Sequence, residues 1–117
     1  MDKITKAIIC GGRDFIPNND HKLWLVETIQ LLNVKCIICG MAKGADMFGY
    51  QIAKELNLPV MEYRAEWEKH GKAAGYLRNY KMAEVADLCI AFKGGNGTKS
   101  MIKISKDKNI PVIVCNF

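Results

Sequence analysis

Five short apolar runs punctuate the chain, at residues 4–10, 35–39, 58–63, 87–92 and 110–115. Each is nearly continuous rather than alternating, which is the pattern of strands buried on both faces of a parallel sheet. Between them, apolar residues recur at helical spacing. Asp20 is expected to cap a first helix whose Leu23, Trp24, Val26, Ile29, Leu31 and Leu32 form a broad buried face. Further helices are expected over residues 45–57, 76–86 and 98–109, the last with Thr98 as its cap. Pro59 stands at the entry of the third strand, where a missing N–H is tolerated. Strand and helix alternate throughout, so the pattern predicts an α/β fold. Right-handed crossovers then give one doubly wound parallel sheet of about five strands, order 3-2-1-4-5, with helices on both faces.

Two strands end in glycine-rich turns. The first reads Gly11-Gly12-Arg13-Asp14-Phe15, and the fourth leads into Lys93-Gly94-Gly95-Asn96-Gly97-Thr98. Glycine lets a ligand approach the backbone, and a helix start aims unpaired N–H groups and a positive dipole end back into the turn. Such a turn is built to hold an anion, most often a phosphate. In the 3-2-1-4-5 order the first and fourth strands are neighbours, so the two turns should face each other across the crevice where these sheets bind ligands. A third glycine loop, Gly40-Met41-Ala42-Lys43-Gly44, comes after the second strand. Residues 64–75 form a long polar connection where the other turns are short, which marks a functional loop. The chain has neither GxGxxG nor GxxxxGK[ST], and no acidic residue closes the second strand to hold a ribose. Ordinary dinucleotide binding and P-loop hydrolysis are therefore not expected.

Composition narrows the class. The 117 residues, half of them hydrophobic, make one domain able to bury roughly two-thirds of its unfolded surface. No apolar run approaches the roughly 18 residues of a membrane span, and the Met1-Asp2-Lys3-Ile4 start lacks the regions of a signal peptide. A cytoplasmic protein without a membrane partner is expected. Cys10, Cys36, Cys39, Cys89 and Cys115 are an odd number in apolar runs, which fits buried reduced thiols. Cys36 and Cys39 have CxxC spacing, but residues three apart in a strand face opposite ways. With His21 and His70 isolated, neither a metal nor a cofactor is expected. The net charge is +5, and residues 93–117 carry five Lys against one Asp. Lys99, Lys103 and Lys106 share a helical face, either solvated or set against a phosphate backbone.

The motifs in order are Gly12-Arg13-Asp14-Phe15, Gly40 through Gly44-Ala45-Asp46, Ala65-x-Trp67-x-Lys69-x-Gly71-Lys72-Ala73-Ala74-Gly75, Arg78-Asn79-x-x-Met82 and Ala91-Phe92-x-Gly94-Gly95-x-Gly97-Thr98. Together they resemble the YspA-like branch of the SLOG superfamily. The resemblance implies a single Rossmann-like domain over 1–117, a nucleotide or nucleotide-derived ligand such as an ADP-ribose derivative or a cyclic nucleotide, and a homo-oligomer. LOG-type hydrolases of that superfamily carry an Arg ahead of PGGxGTxxE. Here Arg78 can match the Arg, but Lys93 stands at the Pro and Met101 at the catalytic Glu. Methionine cannot move a proton. No catalytic residue is therefore expected unless Glu66, Glu68 or Asp46 substitutes, and the resemblance favours a binder over a nucleotide N-glycosidase. A DprA-like binder of single-stranded nucleic acid is the other alternative.

The expected ligand-binding set is Gly11, Gly12, Arg13, Gly40, Gly44, Asp46, Trp67, Lys72, Arg78, Asn79, Gly94, Gly95, Asn96, Gly97 and Thr98. Several members have a structural alternative. Arg13 either forks onto a phosphate or pairs with Asp14 or Asp46. Asp46 is a ligand contact or a helix-start carboxylate. Arg78 holds ligand or pairs with Glu84 or Asp87, and Trp67 stacks on a base, packs a lid or meets a second copy.

Overall fold

The computed structural model describes residues 5–117. Strands β1 (Thr5–Cys10), β2 (Val34–Cys39), β3 (Val60–Glu62), β4 (Leu88–Ala91) and β5 (Val112–Val114) form one parallel sheet in the order β3-β2-β1-β4-β5. This is the predicted order. Ile4, expected to open the first strand, lies outside the described residues. At the centre of the sheet Ala7 stands opposite Ile37 of β2 and Leu88 of β4.

Helices cover both faces, as the continuous apolar runs require. Successive residues of a strand point to opposite sides, and β1 divides accordingly. Ala7 and Ile9 pack with Leu25 and Ile29 of α1 (Asn19–Leu31) and with Phe48 and Ile52 of α2 (Ala45–Glu55). Ile8 and Cys10 pack with Met82 and Ala83 of α4 (Ala74–Val85) and with Met101 and Ile104 of α5 (Asn96–Asp107). The long polar connection carries a single helical turn, α3 (Trp67–His70), followed by a 3-10 turn, Gly71–Ala73.

Two helix caps and one buried face depart from expectation. Asn18, not Asp20, caps α1: its Oδ1 accepts from His21 N at 3.0 Å, while the Asn18 N–H donates back to His21 Nδ1 at 3.0 Å. With Nδ1 accepting, Nε2–H is left to donate to the Phe117 carbonyl at 2.9 Å, so the buried His21 is a structural clip. The buried stripe of α1 is narrower than predicted and is centred on Leu25 and Ile29; Leu23, Leu31 and Leu32 are exposed. Helix α5 begins two residues early, at Asn96 after Gly95, so Thr98 lies in its first turn and no side chain caps it.

Candidate functional site

The two glycine turns meet, and they do so through their backbones. Gly12 N–H donates to Lys93 O at 2.9 Å, which ties the loop after β1 to the loop after β4. The approach is close enough to require glycine at position 94, where a Cβ would press on Thr98 Oγ1 and come within 2.6 Å of Gly12 N. Because the Gly12 N–H is spent on this bond, Gly12 supplies shape rather than a donor. The free donors come from the start of α5, whose first-turn N–H groups have no side-chain cap. Thr98 is buried beside them, and its hydroxyl makes no hydrogen bond among the described residues.

A cleft of about 970 Å³ opens at this junction. Thirteen of the fifteen expected residues line it: Gly11, Gly12, Arg13, Asp46, Trp67, Lys72, Arg78, Asn79, Gly94, Gly95, Asn96, Gly97 and Thr98. Gly40 and Gly44 do not, and each has a structural task instead. Gly44 has φ +77° at the start of α2, and a Cβ there would collide with the Gly12 carbonyl, so it lets α2 seat against the first turn. Gly40 offers its carbonyl to Arg78. The cleft also takes in residues outside the expected set, among them Cys10, Ala42, Phe15, Tyr76 and Ser100, together with the buried Met101 that stands at the position of the hydrolases' Glu. Cys10 and Ala42 are small side chains whose only signal would have been their position beside a glycine turn.

Arg78 is held by polar groups other than a Glu84 or Asp87 carboxylate. Its Nη1–H donates to Gly40 O at 2.6 Å and its Nε–H to Asn79 Oδ1 at 3.0 Å. A guanidinium has five N–H donors, so three remain for a ligand. Asn79, also buried, reaches toward Gly97 O at 3.5 Å, which links Arg78 to the start of α5. Burial lowers the Arg78 pKa from its ordinary value, with Asp46 acting in the opposite direction. Arg13 makes no ion pair among the described residues; it is exposed, and its guanidinium carbon lies 5.8 Å from the centre of the Trp67 ring, itself half-exposed at the cleft mouth. Of the three carboxylates that can substitute for the missing Glu, Glu66 and Glu68 are exposed and stand outside the cleft lining, while Asp46 is buried within it.

Asp46 sits in the first turn of α2, where its Oδ2 accepts from Ala42 N at 3.2 Å. Burial raises its carboxyl pKa above the ordinary value, opposed by the Ala42 hydrogen bond and by Arg78 and Arg13. A carboxyl raised in the folded state costs stability wherever the unfolded chain would be ionised, and that cost vanishes in acid where both states are protonated. Asp46→Asn keeps an acceptor for Ala42 and removes the buried charge. Its melting temperature should stand a few degrees above wild type at neutral pH, and the gap should close as pH falls toward the ordinary Asp range. Calorimetry over that range checks this, and an Asn variant that melts lower at neutral pH would show the carboxylate to be a net stabiliser.

The remaining candidate groups lie elsewhere. All five cysteines are buried free thiols. Cys39, pushed by burial up to about 11, bonds to Asp46 O and accepts from Met41 N. Among the described residues no group of three or more His, Cys, Asp or Glu gathers for a metal. Lys99, Lys103 and Lys106 are exposed, and Lys103 pairs with Asp107 one turn along at 3.0 Å. No helix among the described residues is long and apolar enough to cross a membrane.

No family model matches the chain and no solved structure matches it. Among curated proteins, the Gene 61 protein of Mycobacterium phage D29 is 38% identical over 85 residues, a match that takes in 66% of this chain and 68% of the relative. The chain belongs to the same family as the Gene 61 protein of Mycobacterium phage D29.

Proposed function

We propose that this protein binds a nucleotide or nucleotide-derived signalling molecule in the cleft between β1 and β4, as a SLOG-like sensor or sequestering protein. The observation that carries this reading is the junction itself: two glycine turns bonded through Gly12 and Lys93, with the uncapped start of α5 and the buried Thr98 facing a cleft that also holds Arg13, Lys72 and Arg78. Helix-start N–H groups, a hydroxyl and forked guanidinium donors are the set that takes phosphate oxygens. The Trp67 ring at the mouth offers a face to a base. Met101, at the position of the hydrolases' Glu, is fully buried and has no proton to give, which favours retention of the ligand over its cleavage. A cytoplasmic location and a homo-oligomer belong to the same reading.

The test is mass spectrometry of small molecules released by heat from the purified protein, beside an Arg13→Ala, Arg78→Ala double variant. Wild type should release an intact nucleotide that the variant has lost by tenfold or more. Release of free base and sugar phosphate would replace a binder with a glycosidase. Equal recovery from both proteins would show that the two arginines do not hold the ligand.

A further inference from the structure

The sequence has no acidic residue at the end of β2, the place from which a carboxylate holds a ribose in sheets of this kind. The fold supplies one from elsewhere. Residue 40 is the first beyond β2, and a Cβ placed on Gly40 would come within 2.7 Å of Asp46 Oδ2 and 2.8 Å of Arg78 Nη1. The carboxylate of Asp46 has therefore folded back from the first turn of α2 to the tip of β2. Cys39 helps to pin it there by bonding to the Asp46 carbonyl at 3.4 Å, and Ala42 N–H fixes Oδ2. Oδ1 accepts no hydrogen bond from the described residues, although the residue is only 7% exposed and lines the cleft.

The uncommitted oxygen of this largely buried carboxylate opens onto the cleft, where it can accept from a ligand's donors. Arg78 is the cation that acts most strongly on it, but its Nη1 and Nε are turned to Gly40 O and Asn79 Oδ1, and no ion pair to Asp46 forms among the described residues. A polar chain runs from Gly97 at the start of α5 through Asn79 and Arg78 to Gly40, and Asp46 stands at its far end. That chain offers a path from the α5 start to Asp46, and in a nucleotide the group bonded next to the phosphate is the sugar. We infer that Asp46 accepts the vicinal hydroxyls of a ribose, so that the cleft selects ribonucleotides over 2′-deoxyribonucleotides. The inference rests on the nucleotide reading above and adds the sugar to it. Asp46 is here a specificity residue, and the exposed Asp14 on the same cleft lacks both the burial and the fixed oxygen.

The probes are ribose 5-phosphate, 2-deoxyribose 5-phosphate and inorganic phosphate, which share the anion and need no knowledge of the base. Each is titrated into nitrogen-15-labelled protein, monitoring the amides of Gly95 to Thr98 at the α5 start and of Gly40 and Ala42 at the tip of β2. Ribose 5-phosphate should move both groups of amides and bind about tenfold or more tightly than the deoxy sugar, as expected for hydrogen bonds to a charged acceptor. Inorganic phosphate should move the α5 group alone. In Asp46→Asn the preference should fall toward unity while phosphate still binds. If the wild type holds both sugars equally, the inference is overturned and the phosphate site stands. If none of the three probes moves the α5 amides, the phosphate reading fails and this inference with it. The wild-type ratio decides the matter even if the variant does not fold.

Discussion

Phe92→Ala should cost about 3–5 kcal/mol of stability, the largest loss of any single side chain on the α1/α2 side of the sheet. Phe92 directly follows β4 and is 1% exposed. Its ring centre lies 4.9 Å from that of Phe15, 5.5 Å from Trp24, 5.6 Å from Phe48 and 6.0 Å from His21. Four rings from the first loop, α1 and α2 thus converge on one side chain, three of them edge-on in a geometry that adds to the burial. Truncation leaves a cavity those rings cannot all collapse into, since they hang on three separate pieces of backbone. Domains of this size hold about 5–15 kcal/mol in total, so the variant should unfold at a much lower urea concentration with its m-value unchanged. Phe15 also lines the cleft, so ligand retention should weaken as well. Ile16→Ala is the control: Ile16 is 85% exposed and should stay within about 0.5 kcal/mol of wild type. A Phe92→Ala loss below about 1 kcal/mol would mean that the ring cluster is not the keystone of that face.

The strand order was readable because its signals are redundant. Each strand is an unbroken apolar run, each crossover is long enough for one helix, and handedness leaves few arrangements of five such units. Which turns meet is a consequence of the order, so Gly11-Gly12 and Gly94-Gly95 could be placed together without coordinates. What resisted reading was whatever depends on a single long-range contact. His21 stands where a capping box usually has Glu or Gln, so the box formed with Asn18 had no familiar signature. Gly40 and Gly44 have the look of a ligand loop, yet one feeds its carbonyl to Arg78 thirty-eight residues away and the other clears the Gly12 carbonyl. Leu25 and Leu23 are equally apolar in sequence, and only the seating of α1 on the sheet buries the first and exposes the second. Asp46 is the clearest case. Along the chain it is an acidic residue at a helix start, and only the fold returns its carboxylate to the tip of β2.

The second large effect concerns the seam between the two turns. Gly94→Ala should destabilise the protein by about 2–4 kcal/mol and abolish anion binding at the α5 start. The added methyl meets Thr98 Oγ1, lies 2.8 Å from Thr98 Cβ and 2.6 Å from Gly12 N, and two of these three atoms belong to groups that cannot rotate away. Gly12 N is fixed by its bond to Lys93 O, and Thr98 Cβ by the first turn of a regular helix. Relief therefore requires the loops after β1 and β4 to part, which breaks the Gly12–Lys93 bond and moves Thr98 out of register with the helix-start N–H groups. Gly95→Ala, one residue along, separates this account from a general intolerance of the loop. A Cβ there has nothing within 4 Å, and with φ −100° and ψ −141° the backbone needs only a local adjustment to take a side chain, so its cost should fall well below that of Gly94→Ala. Urea melts of the two variants, with phosphate titrations on each, make the comparison. Equal stabilities would mean that the turns are not locked together at residue 94, and the geometric basis of the phosphate site would go with that contact.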